Sequence, residues 1–446
     1  MKHFAPYKAL VLICALASAS AWGCGSTYTD EVAATQVAVS TADPVEGIRA
    51  INGRLKVQSS LEVPAKFKDS EALYLLERAT LLQATTNYKM SARDMMVVEQ
   101  NLEFLDIAGM SANDMAKYYY SEDVSNYKSP PYERLLLNTL NMVNFLAMYE
   151  LEDARVEARR FTVMESYYLT DKGKAVLPGI LALGNYLAGA AFEASRDYDT
   201  ATRYYSRAWH FGMRDTDLRQ RLTDLYRVSG YAGREIQDPG LDRIKAQAKE
   251  DGSLTWEAYA ARHRVGDVLV VTQFGMAPFK KAVNRSVSQL TNSSQAGTVR
   301  VPELSEGGLV RRDENALKLS IDGKSVDTFR GMNVTEQVKL AWTRASPKIM
   351  SAAVSRASTR NALNSVGQGT GSGLRVLTQG AAIVLAASDT PDTRSWTTLP
   401  AYIRLSRIKL EQGMHVAQVR VGDRTDRQTV GVWPDRLNVI NFSKLR

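Results

Sequence analysis

Between about residues 65 and 250 the apolar positions recur with a helical period. Leu136, Leu140, Val143 and Ala147 fall at i, i+4, i+7 and i+11, which is one face of a helix. Leu151, Ala154, Ala158 and Phe161 follow at i, i+3, i+7 and i+10 on the next one. Breaks at Ser129-Pro-Pro131, Asp171-Lys-Gly173, Pro178 and Gly230 divide the stretch into separate helices. The second spacing returns 47 residues later at Tyr198, Ala201, Tyr205 and Ala208. At the same offset Met142 and Phe145 map onto Gly189 and Phe192. These six later positions, Gly189 to Ala208, are those that define a tetratricopeptide (TPR) repeat. Small residues at Gly189 and Ala201 let two helices of a hairpin approach, and large ones at Phe192 and Tyr205 fill the groove between neighbouring hairpins. A third copy runs through Ala79, Leu82, Tyr88, Ser91, Met95 and Val98. The TPR period is about 34 residues, so copies this far apart are degenerate, with long connections around 111–131 and 168–178. A generic helical bundle is the plainer alternative. Either supplies a surface, to which Tyr118–Tyr120 would add an aromatic cluster or merely a packed loop.

After residue 263 the period changes to two. Val268–Val271, Ala316–Ile321, Ile403–Ile408, His415–Val421, Val430–Val432 and Leu437–Phe442 read as strands, with Asp322-Gly323 as a hairpin turn. Residues 285–315 read as a polar loop. An insertion over 334–388 is helical and basic at first, through Lys339, Arg344, Lys348, Arg356 and Arg360. The glycine run Gly367–Gly373 follows. It lacks the Lys-Ser/Thr of a P-loop and does not follow a strand, so a hinge is expected there. The apolar run 374–387 has 14 residues, where about 20 are needed to span a bilayer. The expected fold is α+β and multidomain: a TPR-like α-helical repeat domain over 65–250, then an antiparallel β-sandwich-like domain over 263–446 carrying the helical insertion. Their boundary is expected between Asp251 and Gly266.

The N-terminus changes where this fold would live. Lys2 and Lys8 precede the apolar stretch Ala9–Ala17 and then small residues, the pattern of a signal peptide over 1–23. Ala21-Trp22-Gly23-Cys24 resembles a bacterial lipobox, which makes Cys24 the expected lipidation site. Cleavage after Ala21, leaving Cys24 as a free thiol, is the alternative. Residues 24–64 are then a lipidated N-terminus and flexible tether. Gly25 stands where inner-membrane retention would place Asp, pointing to an outer-membrane lipoprotein that faces the periplasm.

Composition narrows the chemistry. The net charge is +8, or +6 once Lys2 and Lys8 leave with the signal. No stretch combines Lys and Arg with aromatics, so no nucleic-acid partner is expected. Cys14 and Cys24 are the only cysteines, and the mature chain keeps at most one. An internal disulfide and a thiolate metal set are thereby excluded. Four scattered histidines (His3, His210, His263, His415) imply no metal, and nothing implies a cofactor. There is no His-Glu-x-x-His and no Gly-x-Ser-x-Gly. Ser125-Asn-Tyr-Lys128 matches Ser-x-x-Lys without its partner motifs. No catalytic residue is assigned, and the chain is not expected to be an enzyme.

Two features together carry a resemblance. One is Glu133-Arg-Leu-Leu136 with Ala154-Arg-Val-Glu-Ala158 in the helical half. The other is Asp392-Thr-Arg-Ser-Trp396 with Leu399-Pro400 ahead of the last strands. The chain resembles an uncharacterised family of bacterial lipoproteins with degenerate TPR-like helical repeats and a C-terminal β-rich domain. The resemblance brings no activity with it. In the signature loop, Arg394 is expected to pair with a carboxylate, Trp396 to pack under the sheet, and Leu399-Pro400 to set the course of the next strand. The expected role is a membrane-anchored adaptor or scaffold for envelope proteins. A structural subunit of a large envelope assembly and a cell-wall-acting enzyme are the alternatives.

Overall fold

The computed structural model describes residues 27–67, 70–101, 127, 129–168, 178–229, 235–291, 298–307, 317–368, 391–422 and 424–444. Cys24, Tyr118–Tyr120, Lys128, the glycine run after Gln368 and the whole apolar run 374–387 lie outside them. The architecture is mixed α+β, with helices in the N-terminal part and sheets in the C-terminal part. The helices are α1 (Tyr28–Glu31), α2 (Ala33–Ser40), α3 (Pro44–Leu55), α4 (Glu71–Ala84), α5 (Tyr88–Asn101), α6 (Pro131–Met148) and α7 (Leu151–Tyr168). They continue as α8 (Pro178–Ala194), α9 (Tyr198–His210), α10 (Thr216–Ser229), α11 (Pro239–Glu250) and α12 (Trp256–His263). None of the described helices is long and apolar enough to cross a membrane.

Four successive helix pairs, α2–α3, α4–α5, α6–α7 and α8–α9, close with the same turn. In each, the residue two places before the second helix is left-handed: Ala42, Thr86, Tyr149 and Arg196, at φ 58°, 61°, 60° and 65°. The next amide then reaches back five residues, Asp43 to Ala38, Asn87 to Leu82, Glu150 to Phe145 and Asp197 to Phe192. This is the Schellman closure, which satisfies carbonyls that a helix end leaves open. Asp43 and Asp197 also cap the second helices, accepting from the amides of Glu46 and Thr200. The starts of α6 and α8, Pro131 and Pro178, are 47 residues apart, as are those of α7 and α9, Leu151 and Tyr198.

The first of these pairs replaces the expected tether. Val39, Ile51 and Leu55 are buried, and Val39 packs with Leu81 of α4. Asp43-Pro44 is a strong helix start, and Ile51 and Leu55 sit four apart on one face. That short apolar period was hidden by the Ser, Thr, Ala and Gly around it.

The strands are β1 (Asp267–Phe274), β2 (Lys280–Ser286), β3 (Thr298–Leu304), β4 (Leu317–Ile321), β5 (Lys324–Val326) and β6 (Phe329–Asn333), with the short α13 (Val287–Thr291) between β2 and β3. Helix α14 (Val334–Gln368) precedes β7 (Tyr402–Lys409), β8 (Gly413–Val421), β9 (Arg424–Val432) and β10 (Asn438–Lys444). Two four-stranded sheets form, ordered β10-β1-β7-β6 and β5-β4-β8-β9. Val268, Val270 and Phe274 of β1 share one core with Leu317, Leu319 and Ile321 of β4 and Ala417 and Val419 of β8. The other face of β1 is buried too: Gln273 donates to the Gln83 side chain of α4 at 2.6 Å. A strand covered on both faces reads as an unbroken apolar run, as Val268–Val271 does.

Three strand assignments differ from the sequence reading. Strand β10 runs parallel to β1, where an all-antiparallel arrangement was expected. The five residues Trp433–Leu437 carry the chain from one sheet to the other, and β10 pairs with β1 instead of folding back on β9. Strands β7 and β8, expected to flank Glu411-Gln-Gly413 in one antiparallel arrangement, lie in different sheets, and β8 pairs with β4 and β9. The supposed loop 285–315 holds the end of β2 and all of β3, which pair as a hairpin, and exposed polar residues at Lys281, Asn284 and Thr298 interrupt any strict period of two. Asp322 and Gly323, both at positive φ, do join β4 to β5.

The chain divides into two compact units. The larger comprises Ala34–Phe279, Glu306–Trp342 and Ser395–Arg446. The boundary drawn from sequence, Asp251–Gly266, lies inside it. The smaller takes residues from 1–33, 280–305 and 343–394. Its core is Val287, Val299, Val301 and Ala353, and Arg285 pairs with Glu303 across its hairpin at 2.6 Å.

Candidate functional site

The larger unit buries several charged constellations, the Arg78–Asp94 pair among them, and three others join more distant segments. The largest centres on Glu193, at the end of the apolar run of α8. Tyr205 comes to it from α9, Arg221 from α10, Tyr259 from α12, Asp267 from the start of β1 and Arg407 from the middle of β7. Arg221 bonds one Glu193 oxygen at 2.6 Å and Arg407 the other at 2.9 Å. Arg407 also grips Asp267 with two bonds, 3.0 and 2.6 Å, the fork geometry guanidinium favours. Tyr205 accepts from Arg407 at 2.6 Å and donates to Glu193 at 2.7 Å. Tyr259 donates to Glu193 at 2.5 Å. Burial alone would raise the Glu193 carboxyl, but the two guanidiniums hold it far below its ordinary range. Burial pushes the Tyr205 and Tyr259 hydroxyls up. Every proton here is held, and the two cations are met by Glu193, Asp267 and the partly exposed Asp217, which accepts from Arg221 at 3.3 Å. The arrangement joins four helices to two strands and suits holding, not proton transfer.

Beside it, Asp224 of α10 accepts from His263 at 2.8 Å and from Arg262 at 2.7 Å. Burial lowers the His263 pKa, and the Asp224 bond only partly opposes this. An Asp-His pair is the orienting half of a catalytic relay, but this imidazole is packed against the Tyr259 ring, with centroids 4.6 Å apart.

The second constellation grips the loop before β7. Glu77 of α4 accepts from the Thr397 amide at 2.7 Å, the Thr397 hydroxyl at 2.9 Å and the Thr398 amide at 2.8 Å. Glu133 of α6 accepts from the Trp396 amide at 3.0 Å and from the Tyr127 hydroxyl. The Trp396 indole donates to Thr80 at 2.9 Å. All of these residues are buried. Loop amides taken out of water must find acceptors, and two carboxylates from different helices supply them. Trp396 is thus packed against helices and not simply under the sheet. Leu399 accepts from the Ala277 amide and Ala401 donates to Gly275, at 2.9 and 3.2 Å, which sets Pro400 at the threshold of β7. In the smaller unit, Arg394 pairs with Asp392 two residues away at 3.0 Å.

The third is a pair of carboxylates. Asn138 of α6 donates to both Glu99 of α5 and Glu157 of α7, at 2.9 and 2.8 Å. Arg160 reaches both as well, lying 2.9 Å from Glu157. Burial, then the Glu99 charge, pushes Glu157 up to about 7, against the pull of Asn138 and Arg160. The folded state therefore takes up this proton before the unfolded chain does. The stability it contributes is complete below the ordinary value of 4.5 and is lost as pH rises through about 7. Glu157→Gln, which imitates the protonated form, should be more stable than the parent by about 2–3 kcal/mol at about pH 8 and equal to it near pH 4.5. Melting curves of both proteins across that range measure the difference, and parallel curves would refute it.

The repeat positions read from sequence fall on α7, α8 and α9. Ala154, Ala158, Ala201, Tyr205 and Ala208 are fully buried. Gly189 meets Tyr205, not Ala201: a Cβ on Gly189 would lie 2.6 Å from the Tyr205 ring. Ala201 is buried one turn earlier on the same helix face. Phe192 stacks on Tyr204 at 5.3 Å between centroids, with Arg155 and Arg159 over its ring. Tyr198 packs edge-on against Tyr259 at 5.0 Å.

Sequence reasoning missed Glu77, Glu133, Glu193, Arg221, Asp267 and Arg407. A signal existed for three of them: Glu77 interrupts Leu73–Leu82, Glu193 ends Ile180–Ala194, and Asp267 abuts Val268–Val271. A charge inside a run that must be buried calls for a buried partner. Among the described residues no group of His, Cys, Asp and Glu is arranged to hold a metal ion. Comparison with family models, with curated proteins and with solved structures finds no match to this chain.

Proposed function

We propose that this chain is an envelope lipoprotein, anchored through Cys24 at the outer membrane and facing the periplasm, that serves as an adaptor or scaffold for other envelope proteins. The observation that carries the reading is the succession of four helix pairs closed by one and the same turn. Repetition of a hairpin that cannot bury its apolar face alone is the logic of a TPR-like stack, and such stacks present extended binding surfaces. The two sheets with their common core act, in this reading, as a sandwich-like brace for the stack. The Glu193 network supports a holding role, since its protons are fixed and each guanidinium is paired with carboxylates.

The test uses intact cells. The parent protein should stay in the membrane fraction after a high-salt wash and carry a labelled fatty acid, and Cys24→Ser should lose the label and be released by that wash. Crosslinking followed by mass spectrometry should recover a defined envelope protein. Arg203→Glu, on the exposed side of α9 (61% exposed), should weaken that capture without changing the melting temperature. Parent protein found soluble with Trp22 at its N-terminus would overturn the anchoring. Turnover of a wall fragment by the purified protein would overturn the adaptor.

A further inference from the structure

The alternation of β4, β8 and β9 sends Leu319, Ala417, Val419 and Val432 into the core. The positions between them form the opposite face of the same sheet. By register, Met414 pairs with Gly431, Val416 with Thr429, Gln418 with Arg427 and Arg420 with Thr425, while Lys318 lies beside Arg420. This face is open. Met414 is 71% exposed, Val416 45% and the adjoining Trp433 54%, and Lys318, Arg420 and Arg427 are exposed as well.

The face has two parts. At one end Met414 and Trp433 close over Gly431, the sulfur and the indole nitrogen each 3.4 Å from where its Cβ would stand. With Val416 beside them they make a continuous apolar tip, and Arg436 lies 5.5 Å over the Trp433 ring. At the other end stand three cations, Lys318, Arg420 and Arg427. Arg427 is held across the strands by a 2.7 Å bond to Gln418. Every charged residue at an outward position of these strands is a cation. Of the nearby carboxylates, Asp426 belongs to the inward row, opposite Val419, Asp322 is bound to His415 and the Val416 amide, and Asp435 lies in the exposed turn after Trp433, outside the strands.

We infer that this open face of the β5-β4-β8-β9 sheet docks on an anionic phospholipid bilayer. Indoles settle at the headgroup level, and lysines and arginines nearby gain from anionic headgroups. An apolar tip beside an all-cationic field matches both demands. Ser320, Thr425 and Thr429 between them build no walls for a peptide, and a single indole offers no succession of stacking platforms for nucleic acid. The inference takes from the envelope reading only the place where such a surface is met.

The experiment is vesicle co-sedimentation with the full chain carrying Cys24→Ser, so that no acyl chain contributes. Vesicles of phosphatidylcholine with phosphatidylglycerol should retain the protein, vesicles of phosphatidylcholine alone should not, and retention should fall with added salt. Neutralising one cation should lower partition about fivefold, and Arg420→Gln with Arg427→Gln about 25-fold. Trp433→Ala and Met414→Ser should weaken it further, with little change in melting because both side chains are more than half exposed. Equal retention by both vesicle types, or variants that bind like the parent, would overturn the inference. So would capture by polyglutamate or single-stranded DNA without capture by phosphatidylglycerol. If the acylated parent is membrane-bound in cells while Cys24→Ser ignores vesicles, this inference fails and the anchor stands.

Discussion

Replacing Glu193 with alanine should destabilise the larger unit by about 3–5 kcal/mol, the usual cost of removing one member of a buried ion pair. The loss falls at the upper end of that range because Arg221, Arg407, Tyr205 and Tyr259 all direct hydrogen bonds at this one carboxylate. Arg407 would then keep only Asp267 as a carboxylate partner, and Arg221 only Asp267 and the partly exposed Asp217. In a chain of this size the melting temperature should fall on the order of 10 °C. Glu152→Ala is the matched control, since Glu152 is 80% exposed and its pair with Arg155 is worth about 1 kcal/mol at most. If the two variants melt alike, the network does not hold helices and strands together. The sign of the pH effect follows from the depressed Glu193 pKa. The stability it contributes is present above the ordinary glutamate range and is lost only as pH falls through the lower folded value, so Glu193→Ala should blunt the acid limb of the parent's stability curve.

Glu77→Ala should have the second-largest effect. It strips acceptors from the amides of Thr397 and Thr398 and from the Thr397 hydroxyl at once. A buried amide left without a partner costs about 1–3 kcal/mol, so two should cost at least about 2 kcal/mol. The readout is local as well as global: hydrogen exchange at Trp396–Thr398 should quicken more than exchange in β1. Thr397→Val, which removes only the hydroxyl, should cost about 1 kcal/mol or less. Unchanged exchange in the loop of Glu77→Ala would show that water or a shifted side chain replaces the carboxylate, and the clamp would be refuted.

Much of the local structure was legible from the chain. The 47-residue offset placed α6 to α9 because a helix face that must be buried repeats its small and large residues at fixed spacing. The run Val268–Val271 and the turn Asp322-Gly323 were readable for equally local reasons, burial on both faces and tolerance of positive φ. The turns that close the helix pairs were not, since Ala42, Thr86, Tyr149 and Arg196 stand where glycine would have signalled a helix end. The pair at residues 33–55 was missed for the same reason, helped by its small polar residues.

What only the tertiary structure decided is who meets whom. Periodicity reports that a side chain is buried, never against what. Glu77 reads as one charge on a helix until Thr397, 320 residues away, brings its amide to it. Arg407 looks like an ordinary polar residue of a strand, yet it balances Asp267 beside it in the sheet and Glu193 214 residues before it. The parallel course of β10 beside β1 likewise depends on a five-residue crossing whose direction no alternation records. The sequence by itself determined which faces leave water, because that is set residue by residue by the cost of exposing apolar surface. The partners of the buried charges were decided by the fold, because a charge in a low-dielectric interior persists only where distant segments converge to neutralise it.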